Sequence, residues 1–221
     1  MARPKACLVD VYNTILKCDF ADHRTELPTL AGIPADVWQA GYDRIDGDFN
    51  VGRLSKSEGF GQLLRDSGVA PRPELLRALV DRDRDRDLLL ATARLYDDAI
   101  GFLKKIRAHG IKIAIVSNCS EHTRRLLTEL GIDVLVDALV LSCEVGAAKP
   151  DPEIFRYALD QLDVAADAAV FVDDQADYCA GAVTLGITTA QIIRGELNGK
   201  ASAAGATVVR SLRDVEPMLQ I

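Results

Sequence analysis

Apolar positions along the chain fall into two textures. Four short runs, ACLVDV (6–11), IKIAIVS (111–117), DALVLS (137–142) and AAVFVD (168–173), are almost continuous in small and branched aliphatic residues. Strands of a parallel sheet read this way, because helices cover both faces and neither set of side chains meets water. Between the runs the spacing becomes helical. DDAIGFLKKIRAHG (97–110) ends on a glycine stop, SEHTRRLLTELG (120–131) opens with Ser120 as a cap, and DPEIFRYALDQL (151–162) opens with Asp-Pro. Ser and Asp side chains accept hydrogen bonds from the unpaired N–H groups of a first turn, and proline's fixed φ suits the first helical position. Such alternation predicts βαβ units joined by right-handed crossovers. A weaker strand near TTAQII (188–193) and a final helix near LRDVEPML (212–219) complete the layers.

One interval breaks the rhythm. The first strand ends near residue 11 and the second begins near 111, far more chain than a crossover needs. The interval carries helical patterns, ADVWQAGYDRI (35–45), KSEGFGQLLRDSG (56–68) and a long one from 72 to 98, and no strand pattern. The expected architecture is therefore an α/β fold, a three-layer Rossmann-like parallel-sheet core over residues 1–17 and 91–221, with an inserted α-helical cap subdomain over 18–90. Within the cap, DRDRDRD (81–87) places opposite charges three apart, Asp81 with Arg84 and Arg82 with Asp85, and reads as a solvated helix face without chemistry.

Composition narrows the function classes. The 221 residues are 48% hydrophobic and 27% charged, enough to bury a sizeable core. A net charge of −7 argues against nucleic acid as the main partner, since phosphate-backbone binding needs clustered Lys and Arg. No apolar stretch is long enough to span a bilayer, the beginning MARPKACLVD lacks the apolar stretch of a secretory signal, and a cytoplasmic location is expected. Five cysteines at irregular spacing read as reduced thiols rather than a disulfide or zinc framework.

Ligands of open parallel sheets bind beyond the carboxyl ends of the strands. Asp10, Ser117 with Asn118, Lys149, and Asp173 with Asp174 lie at or just after those ends and can converge on one crevice. Three carboxylates within a few ångströms cannot all ionise unless a cation joins them, and Mg²⁺ is the hard ion that oxygen donors suit.

These residues fall within DVYNT (10–14), IVSN (115–118), KPDPEIF (149–155) and FVDDQAD (171–177), which in this order resemble the motifs of the haloacid dehalogenase superfamily of hydrolases, in the subgroup with a helical cap after the first strand. The resemblance implies Asp10 as the nucleophile, Ser117 and the backbone beside Asn118 as holders of the transferred group's oxygens, Lys149 as the offset to its charge and Thr14 as an organiser of the Asp10 loop. It further implies Mg²⁺ bound by Asp10, the backbone carbonyl of Tyr12, Asp174 and Asp173. The substrate would be a small phosphorylated metabolite, and the protein a monomer or homodimer.

Tyr12 departs from the phosphatase pattern, in which a second aspartate protonates the leaving alkoxide and then activates water. A phenol, with an ordinary pKa of about 10, is a poor base near neutrality. Dehalogenases of the superfamily carry tyrosine at this place, so a metal-independent 2-haloacid dehalogenase is the sharp alternative, and a non-catalytic binding module is another. Against the dehalogenase stand the pair Asp173–Asp174 and the lack of an arginine after Trp38, where Gln39 follows. The segment GRLSKSE (52–58) offers Arg53, Lys56 and Glu58 as cap groups near substrate, or else a helix start with Ser55 as cap and Glu58 as its box partner. His109 and His122 read as surface residues.

Overall fold

The computed structural model describes residues 3–17, 23–92, 94–195 and 202–221. Its centre is a six-stranded, all-parallel sheet of β1 (Ala6–Val9), β2 (Lys112–Ser117), β3 (Ala138–Leu141), β4 (Ala169–Asp173), β5 (Thr188–Ile192) and β6 (Thr207–Val209), in the order β3-β2-β1-β4-β5-β6. The chain winds from β1 toward β3 on one side and from β4 toward β6 on the other. The reversal lies beside β1, and there the crossovers diverge and leave a crevice. Val9 pairs in register with Ile115 and Val172, so the next residue, Asp10, emerges level with Asp173.

Alternation along each strand divides the core. Cys7, Val9, Ile113 and Ile115 face Phe102, Leu103 and Ile106 of α5 (Ala99–Ala108) and Leu126 of α6 (Thr123–Glu129). Leu8, Ala114, Val116 and Phe171 face Ile154, Phe155 and Ala158 of α8 (Pro152–Leu162) and Ala182 of α9 (Ala176–Thr184). Phe155 meets Phe171 edge to face, with ring centroids 5.1 Å apart.

Four helices intervene between β1 and α5: α1 (His23–Ala31), α2 (Ala35–Asn50), α3 (Lys56–Asp66) and α4 (Pro73–Thr92). They bury their own cluster, built on Trp38, Phe49, Phe60, Leu63, Leu64 and Leu79. The chain returns beside its point of departure, where Lys17 N–H donates to the Arg94 carbonyl and Leu16 bridges Leu95. Gly52, at φ +69°, follows α2, and a Cβ there would collide with the carbonyl of Cys143 in α7 (Ser142–Val145). The helical insertion thus rests directly on the α/β core.

Local chemistry sets the helix ends, with some corrections. Asp151 caps α8 by accepting from Glu153 N–H with Pro152 following, and Ser55 with Glu58 forms a capping box on α3, as their sequences predict. Ser120 does not cap the next helix: α6 begins at Thr123, whose N–H bonds the Ser120 carbonyl rather than its hydroxyl. The segment Leu212–Leu219 is 3₁₀ rather than α, and contains Pro217, which lacks a donor N–H. Strand β6 has only three residues and left no pattern long enough to read.

Candidate functional site

Asp10 lies one residue beyond the central strand, its N–H bonded to the Val172 carbonyl, with the carboxylate 5% exposed. The chain turns sharply just after it. Three successive N–H groups, of Thr14, Ile15 and Leu16, point at the Val11 carbonyl, and Asn13 takes the left-handed conformation at φ +58°. Arg194, beyond β5, braces this loop: one guanidinium nitrogen donates to the Thr14 carbonyl at 2.7 Å, while two make a fork to Asp98 at 2.8 and 2.9 Å.

Lys149 reaches the centre from the far side. Its ammonium is 2.6 Å from Asp10 Oδ1 and 2.6 Å from Asp173 Oδ2, and donates to the Val116 carbonyl at 2.8 Å. The Asn118 side chain clasps the lysine's backbone, donating to its carbonyl at 2.8 Å and accepting from its N–H at 2.7 Å. A Cβ on Gly181 would lie 2.6 Å from the Pro150 carbonyl oxygen, so only glycine lets α9 approach this loop. Asp173 is fully buried, its second oxygen accepting from Gln175 N–H at 2.8 Å. Asp174 accepts from the Gln175 side chain at 2.8 Å.

Carboxylate oxygens of Asp10, Asp173 and Asp174 all lie within 4.8 Å of one another. Electrostatics here is a contest. Burial pushes Asp173 up to about 7, with the Lys149 ammonium pulling the other way and Asp10 adding to the rise. Burial would lower Lys149, yet the charges of Asp10 and Asp173 overcome it and hold the lysine protonated above its ordinary range. The 2.6 Å contacts on both sides favour an ammonium flanked by carboxylates, with Asp173 readier than an ordinary carboxylate to take a proton as pH falls. The expectation that only a divalent ion could let the three carboxylates coexist therefore needs correction, since Lys149 serves two of them. The cluster remains net negative, and its hard, buried oxygen donors fit a hard divalent cation.

The other expected residues divide. Ser117 is fully buried, with a hydroxyl that has no hydrogen-bond partner among the described residues, and the Thr14 hydroxyl is alike. A buried hydroxyl without a partner is a group that an incoming oxygen could satisfy, although neither residue lines the cavity. The backbone beyond Asn118 does not all serve substrate, because Cys119 N–H is taken by the Ser142 hydroxyl at 2.9 Å. Tyr12 lines the cavity, but its phenol is 3.0 Å from the Thr123 hydroxyl. Cys119 also lines the cavity; a hydrogen bond from the Cys143 thiol outweighs burial and lowers its pKa.

The cavity holds about 420 Å³, with Asp10, Tyr12, Asn118 and Asp174 contributed by the sheet side and Gln39, Tyr42, Asp46, Asn50, Lys56 and Asp83 by the helical insertion. Two readings are overturned here. In DRDRDRD, Asp81 does pair with Arg84 at 3.0 Å, but Arg82 reaches Glu26 and Asp83 is only 2% exposed, facing the cavity; the Asp85 side chain lies outside the described residues. Leu76, Leu79 and Asp83 follow helical spacing, so the signal was an apolar stripe running into the charge run. His122 is half-buried, not a surface residue, and its ring nitrogen is 4.0 Å from Asp83; burial pushes its pKa below the ordinary value. In GRLSKSE, the Glu58 carboxylate accepts from the N–H of the cap Ser55 and Arg53 pairs with Asp48, while Lys56 turns inward. Arg194 and Asp83 have no motif that marks them in one sequence.

The family model described as haloacid dehalogenase-like hydrolase matches residues 4–186. A glyceraldehyde 3-phosphate phosphatase of Methanopyrus kandleri is 35% identical over 139 residues, 62% of this chain and 59% of that protein, so the match spans about three fifths of the relative. (S)-2-haloacid dehalogenase 1 of a Pseudomonas species is 26% identical over 201 residues, covering 86% of this chain and 85% of that one. The crystal structure of a HAD phosphatase from Thermococcus onnurineus superposes with a TM-score of 0.67 at 26% identity, covering 97% of each chain. Among the described residues, no helix is long and apolar enough to cross a membrane.

Proposed function

The chain belongs to the haloacid dehalogenase-like hydrolase family, and on that premise we propose that it is a Mg²⁺-dependent phosphatase of a small phosphorylated metabolite, working through an aspartyl-phosphate at Asp10. The observation that carries this reading is the buried trio Asp10, Asp173 and Asp174, with oxygens within 4.8 Å. One lysine does not balance their charge, so a phosphate dianion would be repelled without a further cation. Asp10, Asp173, Asp174 and the Tyr12 carbonyl would hold Mg²⁺, which when bound neutralises the approaching phosphoryl group.

The chain's own residues do the rest. Lys149 fixes the Asp10 carboxylate through Oδ1 and places positive charge where phosphoryl oxygens gather. An Asp10 oxygen attacks phosphorus, the P–O ester bond breaks, and the alkoxide leaves with the bonding pair and takes a proton from water. The Ser117 hydroxyl lies ready for a phosphoryl oxygen, and Asn118 acts by positioning Lys149. Water then attacks the aspartyl-phosphate, releasing inorganic phosphate and restoring Asp10. Tyr12, held by Thr123, gives the departing alkoxide little help and the water none. The helices over 18–90 act as the cap that selects substrate, and the setting is cytoplasmic.

Tyr12 in place of an aspartate is what favours the second reading, metal-independent 2-haloacid dehalogenation. One paired experiment separates them. Phosphate release from p-nitrophenyl phosphate is expected to require Mg²⁺, to stop with EDTA and to fall at least about 10³-fold in Asp10→Asn. Halide release from 2-chloropropionate that survives EDTA, with no phosphate release, would instead establish the dehalogenase.

A further inference from the structure

The helical wall of the cavity has its own charge pattern, apart from the carboxylates at Asp10. Among the described residues its one cation, Lys56, is 4% exposed and already engaged: the ammonium donates to the Tyr42 hydroxyl at 2.8 Å, lies 3.2 Å from Asp83 Oδ2, and stands 4.6 Å from the centre of the Phe49 ring. Two helices, α3 and α4, thus supply the halves of a buried ion pair that neutralises itself. The other charged groups of the wall are acidic. Asp43 and Asp46 both line the cavity from α2, each steadied by an amide four residues away, Gln39 at 2.6 Å and Asn50 at 3.0 Å. Burial pushes the Tyr42 phenol up to about 12, and Asp83 and Asp46 add to the rise against the opposing pull of Lys56.

A substrate whose phosphate lies at Asp10 extends its alcohol portion into this space. Carboxylates, amides and a tyrosine hydroxyl all pair well with alcohol hydroxyls, which both donate and accept. A carboxylate on the substrate would meet like charge and would have to compete with Asp83 for Lys56. We propose that the wall is a charge filter: it accepts phosphate esters of hydroxylated, carboxylate-free alcohols, of the sugar or polyol class, and rejects phosphates whose alcohol carries a carboxylate. This rests on the phosphatase reading and names the substrate class for it. The volume of about 420 Å³ leaves room for such an alcohol beside the phosphate.

Matched pairs of esters test the filter, because each pair differs chiefly in one carboxylate. With Mg²⁺ present, kcat/KM is measured for glycerol 3-phosphate against 3-phosphoglycerate and for sorbitol 6-phosphate against 6-phosphogluconate, with p-nitrophenyl phosphate as a reporter of the chemistry. The neutral member of each pair is expected to be at least tenfold better, and Asp46→Asn and Asp43→Asn to narrow that ratio several-fold, circular dichroism confirming that the variants fold. Equal or better turnover of the carboxylate-bearing members by the unaltered protein overturns the filter. So do ratios that neither variant shifts. If p-nitrophenyl phosphate is hydrolysed while the ratios fail, only the filter falls; if no phosphate ester is hydrolysed, the phosphatase reading falls and takes the filter with it.

Discussion

On the phosphatase reading proposed above, Tyr12 sets how the leaving group must behave. Its phenol is bonded to Thr123 at 3.0 Å, and a group with an ordinary pKa of about 10 is a weak base at neutrality. Aryl phosphates, whose phenolate leaves without a proton, are expected to react much faster than alkyl phosphates. Tyr12→Asp restores a group able to exchange protons, and general acid–base catalysis contributes about 10²–10⁴-fold. The variant should raise kcat on alkyl esters at least tenfold while changing aryl rates far less; an unchanged alkyl-to-aryl ratio means another group already serves as acid. Arg194 acts at the same scale, as a positioning residue. Its fork to Asp98 and its bond to the Thr14 carbonyl tie the start of α5 to the loop after Asp10. Arg194→Met should cost about 2 kcal/mol in urea unfolding, a figure ordinary for lost hydrogen bonds to charged groups. Asp98 gives this network a pH signature. Burial alone would raise its pKa, but hydrogen bonds from Arg194 and from Leu212 N–H lower it below the usual carboxylate value. A folded-state pKa below the unfolded one stabilises at neutral pH and is lost as pH falls through the folded value. The stability difference between the unaltered protein and Asp98→Asn should therefore be largest near pH 7 and shrink below about pH 4.

At the scale of elements, the sequence is most readable where one force acts alone. The strand runs that place Asp10, Ser117 and Asp173 are buried on both faces, and their boundaries fall within one or two residues of the apolar runs. The helix α8 begins where Asp151 and Pro152 say it should. The helix α4 shows the opposite case, since a charge run and an apolar stripe overlap and only the neighbouring helices tell which aspartate turns inward. Asp83 is held by Lys56 from α3 at 3.2 Å, and removing the cation takes an ammonium from beside a buried carboxylate. Lys56→Met is expected to destabilise by about 3–5 kcal/mol, the range for breaking a buried pair. Asp83→Asn in the same background should recover part of that loss; no recovery would show that the pair is not coupled.

Over the whole molecule, the winding of the sheet in two directions from β1 brings distant stretches of chain to one point. A divalent ion binding there selects the folded state, because the unfolded chain cannot hold the three carboxylates together. Mg²⁺ at about 100 times its Kd should stabilise by roughly 2.7 kcal/mol, seen as a rise in Tm. Asp174→Asn should abolish that rise, and a Tm indifferent to Mg²⁺ in the unaltered protein would remove the metal from the site. The sequence by itself determined the parallel α/β core, the helical insertion and the convergence of Asp10, Lys149, Asp173 and Asp174, because burial period and strand-end position are local properties written in consecutive residues. Only the tertiary structure decided that Lys149 lies between two of the carboxylates, that Asn118 serves the lysine, and that Asp83 and Lys56 meet in the cavity wall. Those outcomes depend on distances between separate elements, and a side chain's partner is fixed by packing across the fold rather than by its neighbours in the chain.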